Sequence, residues 1–154
     1  VSWSLDITGG DLNFVSDRSG AATVTNRDKA FQDLRCALLE PMGSDPMHPE
    51  HGSLLDGGRL PNGRTVESLV GQEALSVLKI KEEIGRVIQR YMTMQRNKID
   101  SENQLYGKST LQDGEIVQTI MSIDHRMFGS TKVILQANLL MRNASTVTIN
   151  QPVG

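Results

Sequence analysis

Thr131-Lys132-Val133-Ile134-Leu135-Gln136-Ala137-Asn138-Leu139-Leu140-Met141 sets the frame for the chain. Val133, Leu135, Ala137, Leu139 and Met141 fall on one side of an extended strand, because successive side chains point to opposite faces. Downstream, Thr146-Val147-Thr148-Ile149-Asn150 alternates again after the turn residues Asn143-Ala144-Ser145. Upstream, Glu115 to Arg126 is rich in Ile, Val, Thr and Met, and Gly129-Ser130 supplies the connecting turn. The three runs predict a three-stranded antiparallel meander.

Before it lies the strongest helical signal, from Glu73 to about Lys98. Val77, Ile80, Ile84, Val87 and Tyr91 form one stripe, with Met94 continuing the spacing and Leu75, Leu78 and Ile88 widening it. So wide a stripe is expected to pack partly on a partner helix through Val77, Ile84, Val87, Ile88 and Tyr91. Glu82 precedes Arg86 by four residues, which reads as an exposed ion pair. The basic residues Lys79, Lys81, Arg86, Arg90, Arg96 and Lys98 read as a solvated face, with contact to an acidic protein as the alternative.

Pro41 to Gly63 holds four of the five prolines and reads as a long irregular loop. Within it, Pro49 to Leu54 is expected to be a rigid turn, with Gly52 at positive φ and Gly43 as a further turn residue. Thr65 looks like a helix cap, with Glu67 and Ser68 in the first turn and Gly71 separating a short helix from the long one. A first helix starts after Asn26 as cap, carries Phe31, Leu34 and Leu38 on one face, and ends at Pro41. Ser4 to Thr8 and Asp11 to Val15 alternate around Gly9-Gly10, which predicts an N-terminal β-hairpin, with Thr23-Val24-Thr25 as a short third strand. The order gives an α+β fold of one domain over 1–154, with an N-terminal hairpin, two main helices of which one is long, and the C-terminal meander.

The 154 residues are 38% hydrophobic and 22% charged, which suits a globular chain rather than a disordered one. Aromatic residues are only 4%, so the core is aliphatic and Met-rich. A formal charge of −2 gives no reason to expect nucleic acid or an anionic membrane as partner. The single Cys36 excludes an internal disulfide and a zinc site built on several cysteines. No apolar run approaches the roughly 20 residues of a membrane span, and no basic-then-apolar leader opens the sequence. Assembly in a reducing cytoplasm is the expectation.

The signals for catalysis are weak. His48-x-x-His51 lies beside Asp45 and Glu50 but lacks a third ligand at zinc-motif spacing. There is no Gly-x-Ser-x-Gly elbow, and Leu55-Asp56-Gly57-Gly58-Arg59 lacks the Lys and Ser/Thr of a phosphate loop. Glu40, Asp45, Glu50 and Asp56 are candidate carboxylates, and nothing in the sequence places two of them across a sugar.

The loop and its flanks carry a family resemblance. Leu38-Leu39, Gly43, Pro49, Gly52-Ser53 and Leu54 follow a helix end, a Gly, then Pro-x-x-Gly-Ser and an apolar residue. In this the chain resembles the baseplate wedge family of contractile-tailed bacteriophages, the sheath initiators often labelled lysozyme-like. It departs from the family in carrying Gly43-Ser44-Asp45 for Gly-Glu-Arg, and in lacking a Glu-Pro-Arg element between Ser101 and Glu115. The resemblance implies a structural, non-enzymatic component of the virion tail baseplate, without cofactor. It would stand around the tail tube in copies following sixfold symmetry, joined to other wedge proteins and to sheath subunits. The last sheet would recruit sheath by strand pairing through Thr146, Val147, Thr148 and Ile149, as unpaired sheet edges do. A muramidase acting on the cell wall is the alternative.

Overall fold

The computed structural model describes residues 3–5, 23–69, 75–128 and 132–153. The expected tight turn over 9–10, the strand over 11–15, the turn at 129–130 and the separator at 71 lie outside them. Within them, β1 (Trp3–Leu5) pairs antiparallel with β2 (Thr23–Thr25). The helix α1 (Asn26–Leu39) follows and leads into β3 (Pro41–Met42), β4 (Ser53–Arg59) and β5 (Thr65–Val66), a small sheet in the order β3-β4-β5. The long helix α2 (Leu75–Tyr106) then delivers the chain to β6 (Val117–Phe128), β7 (Lys132–Met141) and β8 (Thr146–Val153). These last three form the antiparallel meander that the alternation predicts, with β7 in the centre.

Both helices lie on one face of the meander. Leu135, Ala137, Leu139, Met141, Val147 and Ile149 are buried there, together with Ala30, Leu34 and Leu38 of α1 and Ile80, Ile84, Val87, Ile88 and Met92 of α2. Gln136, Thr146, Thr148 and Asn150 face the other way, into solvent. These residues of β7 and β8 thus lie on the side that their alternation dictates.

Four local expectations are corrected. Asn26 does not cap α1: Thr25 holds the N-cap position in extended backbone without a side-chain cap bond. Asn26 itself is left-handed at φ 55, and Gly114 sits between its amide and that of Asn143. Thr65 opens a strand rather than a helix, because residues 65–66 pair with Gly58 and Arg59. Pro41 to Gly63 is not wholly irregular, since it supplies β3 and β4. The long helix runs on past Lys98 to Tyr106, about 48 Å at 1.5 Å per residue, and stops where Gly107 turns to φ 71 with its N–H donating to Asn103 O at 3.0 Å.

The two helices are joined by the strap 50–54. Its even residues bond to α2: Arg90 Nη1 donates to Glu50 O at 2.8 Å, Arg86 Nη2 to Gly52 O at 2.9 Å, and Leu54 N donates to Glu83 Oε1 at 2.7 Å. Ser53 bonds to the end of α1, its N–H donating to Glu40 O at 2.7 Å and its hydroxyl to Leu38 O at 2.6 Å. Arg86 pairs with Glu83 rather than with Glu82, through Nε at 2.8 Å and Nη2 at 2.6 Å. The buried carboxylate of Glu83 is therefore neutralised and bonded at once.

Gly52 makes the strap possible. Its φ is +87, and a Cβ there would run into the carbonyl oxygen of Glu40 and lie 2.8 Å from C and O of Pro41. Gly107 has a similar φ of +71 but open space around it. Gly52→Val is expected to lose at least about 2 kcal/mol, strain plus clash. Gly107→Ala is expected to lose about 1 kcal/mol, backbone strain alone. Urea midpoints of the two variants check the difference, and equal losses would contradict it.

Candidate functional site

The chemistry-bearing side chains of the irregular stretch hold the chain in place. Asp45 Oδ1 accepts the N–H of Met47 at 2.9 Å, and Oδ2 lies 2.8 Å from His48 Nδ1. The His48 bond, then that N–H, hold the Asp45 carboxyl below its usual range. The His48 and His51 rings lie 5.1 Å apart between centroids. Among the described residues no three His, Cys, Asp or Glu side chains gather as a metal site would need. Glu40 Oε1 accepts the hydroxyl of Ser44 at 3.0 Å. Glu50 Oε1 accepts Arg90 Nη2 at 2.8 Å, and that bond keeps its carboxyl below the usual range. Asp56 is exposed on β4. Burial, then the charge of Asp33, push the half-buried Cys36 thiol upward, away from the thiolate.

The helix residues expected to meet a partner are accounted for otherwise. Ile84, Val87 and Ile88 are in the chain's own core, covered by α1, β4 and β6, and are not available to another helix. Val77 is half-buried. Tyr91 is largely enclosed and donates to Asp33 Oδ2 at 3.3 Å; burial, then the Asp33 charge, push its phenol strongly upward. The stripe is wide because α2 packs on three elements of its own chain. The part of α2 that lacks cover is elsewhere: from Arg96 onward no residue is fully buried, and Leu105 and Tyr106 are each 73% exposed. Gly43 and Gly52 both take positive φ as turn residues, and Pro49 stands in the turn that enters the strap.

At Thr146, Thr148 and Asn150 the outer side of β8 presents backbone groups that no described strand bonds to. The β7–β8 hairpin fixes which backbone groups face outward. Ala144 N donates to Met141 O at 3.0 Å and Met141 N to Ser145 O at 2.8 Å, with Ala144 at φ 64. Bonded pairs then recur at every second position, Leu139 with Val147 and Ala137 with Ile149 among them. The N–H and C=O groups of Thr146, Thr148 and Asn150 consequently point away from β7. Pro152 occupies the next outward position, where a missing N–H removes nothing from the sheet. That accommodates a proline in a regular strand, with β8 outermost among the described strands of this sheet.

The two outer strands differ in regularity and charge. β6 has register irregularities between Val117 and Thr119 and between Ile120 and Ser122, and carries Asp124, His125 and Arg126. Bulges and charges blunt an edge. β8 pairs without interruption from Thr146 to Val153 and contains no charged residue. No described strand bonds to its outer side.

Of the expected sheath-facing residues, Thr146 and Thr148 stand on the solvent face, while Val147 and Ile149 are buried beneath it. The sequence reading missed Ser122, Asp124, Asn138 and Asn150, the polar partners of that face. The polar positions of the same alternation could have named them.

Comparison with protein-family models, curated proteins and solved structures finds no match for this chain. No described helix is long and apolar enough to cross a membrane.

The edge and the core are separable. Ile149→Ala, which empties a fully buried site, is expected to cost about 3 kcal/mol. Thr148→Val, one position away but outward, is expected to cost under about 1 kcal/mol. Chemical denaturation checks both, and a reversal would mean that β8 presents the opposite face to the helices.

Proposed function

We propose that the chain is a structural component of a contractile-tail baseplate, and that it starts the sheath by lending the outer edge of β8 to a strand of a sheath subunit. The observation that carries this is the regular, uncharged edge at Thr146, Thr148 and Asn150, bounded by Pro152. An added strand satisfies main-chain groups to which no described strand bonds, which gives affinity without any cofactor. The Pro-x-x-Gly-Ser resemblance at Pro49 to Ser53 supports the same reading, because those residues form the strap that orients the helices under the sheet. The uncovered end of α2, with Leu105 and Tyr106, is the surface that would meet a neighbouring wedge protein.

Thr148→Pro tests the reading. Its N–H faces outward, so the substitution takes a donor from the edge and none from the β7–β8 ladder. Mutant baseplates are expected to be stable and to carry bare tubes in electron micrographs. Sheaths of normal length on those baseplates would refute a recruiting edge. Purified protein is expected to leave peptidoglycan intact, and its solubilisation would favour the muramidase alternative.

A further inference from the structure

On the solvent face, four side chains from three strands form one chain of hydrogen bonds that ends at β8, the outermost described strand. Thr148 Oγ1 donates to Asn138 Oδ1 at 2.8 Å, Asn138 Nδ2 donates to Ser122 Oγ at 2.9 Å, and Ser122 Oγ donates to Asp124 Oδ2 at 2.9 Å. The strands place them so: Ser122 is opposite Asn138, and Asn138 is opposite Thr148. The Asn138–Thr148 pair is of the non-bonded type, in which side chains approach most closely.

The direction of this chain is forced. A carboxylate only accepts, so Ser122 gives its one proton to Asp124. Ser122 must then accept from the amide nitrogen of Asn138. That turns the amide oxygen toward Thr148 and claims the single proton of the Thr148 hydroxyl. At the exposed end only the acceptor side of Thr148 Oγ1 is left. Each bond also polarises the next, which strengthens that acceptor.

Resting on the strand-addition reading, we propose that this face selects the incoming strand by requiring a hydrogen-bond donor beside Thr148: a hydroxyl, an amide or an ammonium group. The rest of the strand follows from the edge. It pairs along Thr146 to Asn150, since Pro152 offers no N–H beyond. Its inward residues are apolar, because they lie alongside Val147 and Ile149 at the border of the core. The partner is therefore a short strand that alternates apolar and donor-bearing polar side chains, and a side chain able only to accept is disfavoured at the Thr148 position.

Three peptides test this, alike except at the outward position: threonine, valine, or O-methylthreonine, a neutral side chain that accepts but cannot donate. Binding is read by NMR titration of the β8 amides. The threonine peptide is expected to bind about threefold to tenfold more tightly than the O-methyl peptide. Asp124→Asn is the diagnostic variant. An amide at 124 can donate to Ser122, so the whole chain can reverse and leave the Thr148 proton free for an acceptor. The preference is then expected to fall toward one, with the fold intact because Asp124 is exposed. Equal binding of all three peptides by the unaltered protein would overturn the donor requirement and leave strand addition standing. A preference that persists in Asp124→Asn would overturn the directional chain. Failure of every peptide to bind would overturn strand addition itself, and the inference with it.

Discussion

Everything above the helices depends on one buried carboxylate. Glu83 is 7% exposed and accepts from Leu54 N and twice from Arg86, while Arg86 and Arg90 hold the carbonyls of Gly52 and Glu50. Residues 50–54 thereby tie the end of α1 to the middle of α2. A buried charge left without these partners would cost several kcal/mol, so the strap and helix positions stand or fall together. With the helices fixed, their apolar faces define the floor on which the meander lies.

The same logic sets where the molecule is unfinished. The inner face of the sheet is filled by α1 and α2, and its solvent face satisfies itself through the Thr148–Asn138–Ser122–Asp124 chain. At the other end, Gln95 brackets the entry to β6, donating to Glu115 O at 2.7 Å and accepting from Val117 N at 3.0 Å. Glu102 gathers Ser109 and Thr110 behind the end of α2, and the Thr110 N–H, first among these bonds, holds its carboxyl below the usual range. Acidic and hydroxyl side chains here close loops. The outward backbone of Thr146, Thr148 and Asn150 has no such closure among the described residues, which is why it bears the functional reading.

The meander was legible because period-two alternation depends only on neighbours along the chain, as Leu135, Ala137, Leu139 and Met141 demonstrate. The long helix was legible in its apolar turns and not in its end: Asn97, Asp100, Ser101 and Asn103 are poor helix formers, and the termination is set by Gly107. The strand β4 was hidden because Gly57-Gly58 interrupts its alternation, at a place where a Cβ on Gly58 would lie 2.7 Å from Met42 O. Arg86 and Arg90 read as solvated because the strap carbonyls that they bond, besides the Glu83 that Arg86 pairs with on its own helix, lie 34 and 40 residues away. Charge spacing along one helix carries no information about such contacts. The outer side of β8 was half legible: the alternating residues were plain, but which backbone groups face outward depends on the hairpin turn at Ala144.

The most direct test of a recruiting edge is a cryo-electron microscopy map of the assembled particle at side-chain resolution. It is predicted to contain a strand from a sheath subunit running along β8, bonded to the outward N–H and C=O groups of Thr146, Thr148 and Asn150 and ending short of Pro152. A bare β8 edge in the assembled particle, or one covered by the chain's own residues, would contradict the account.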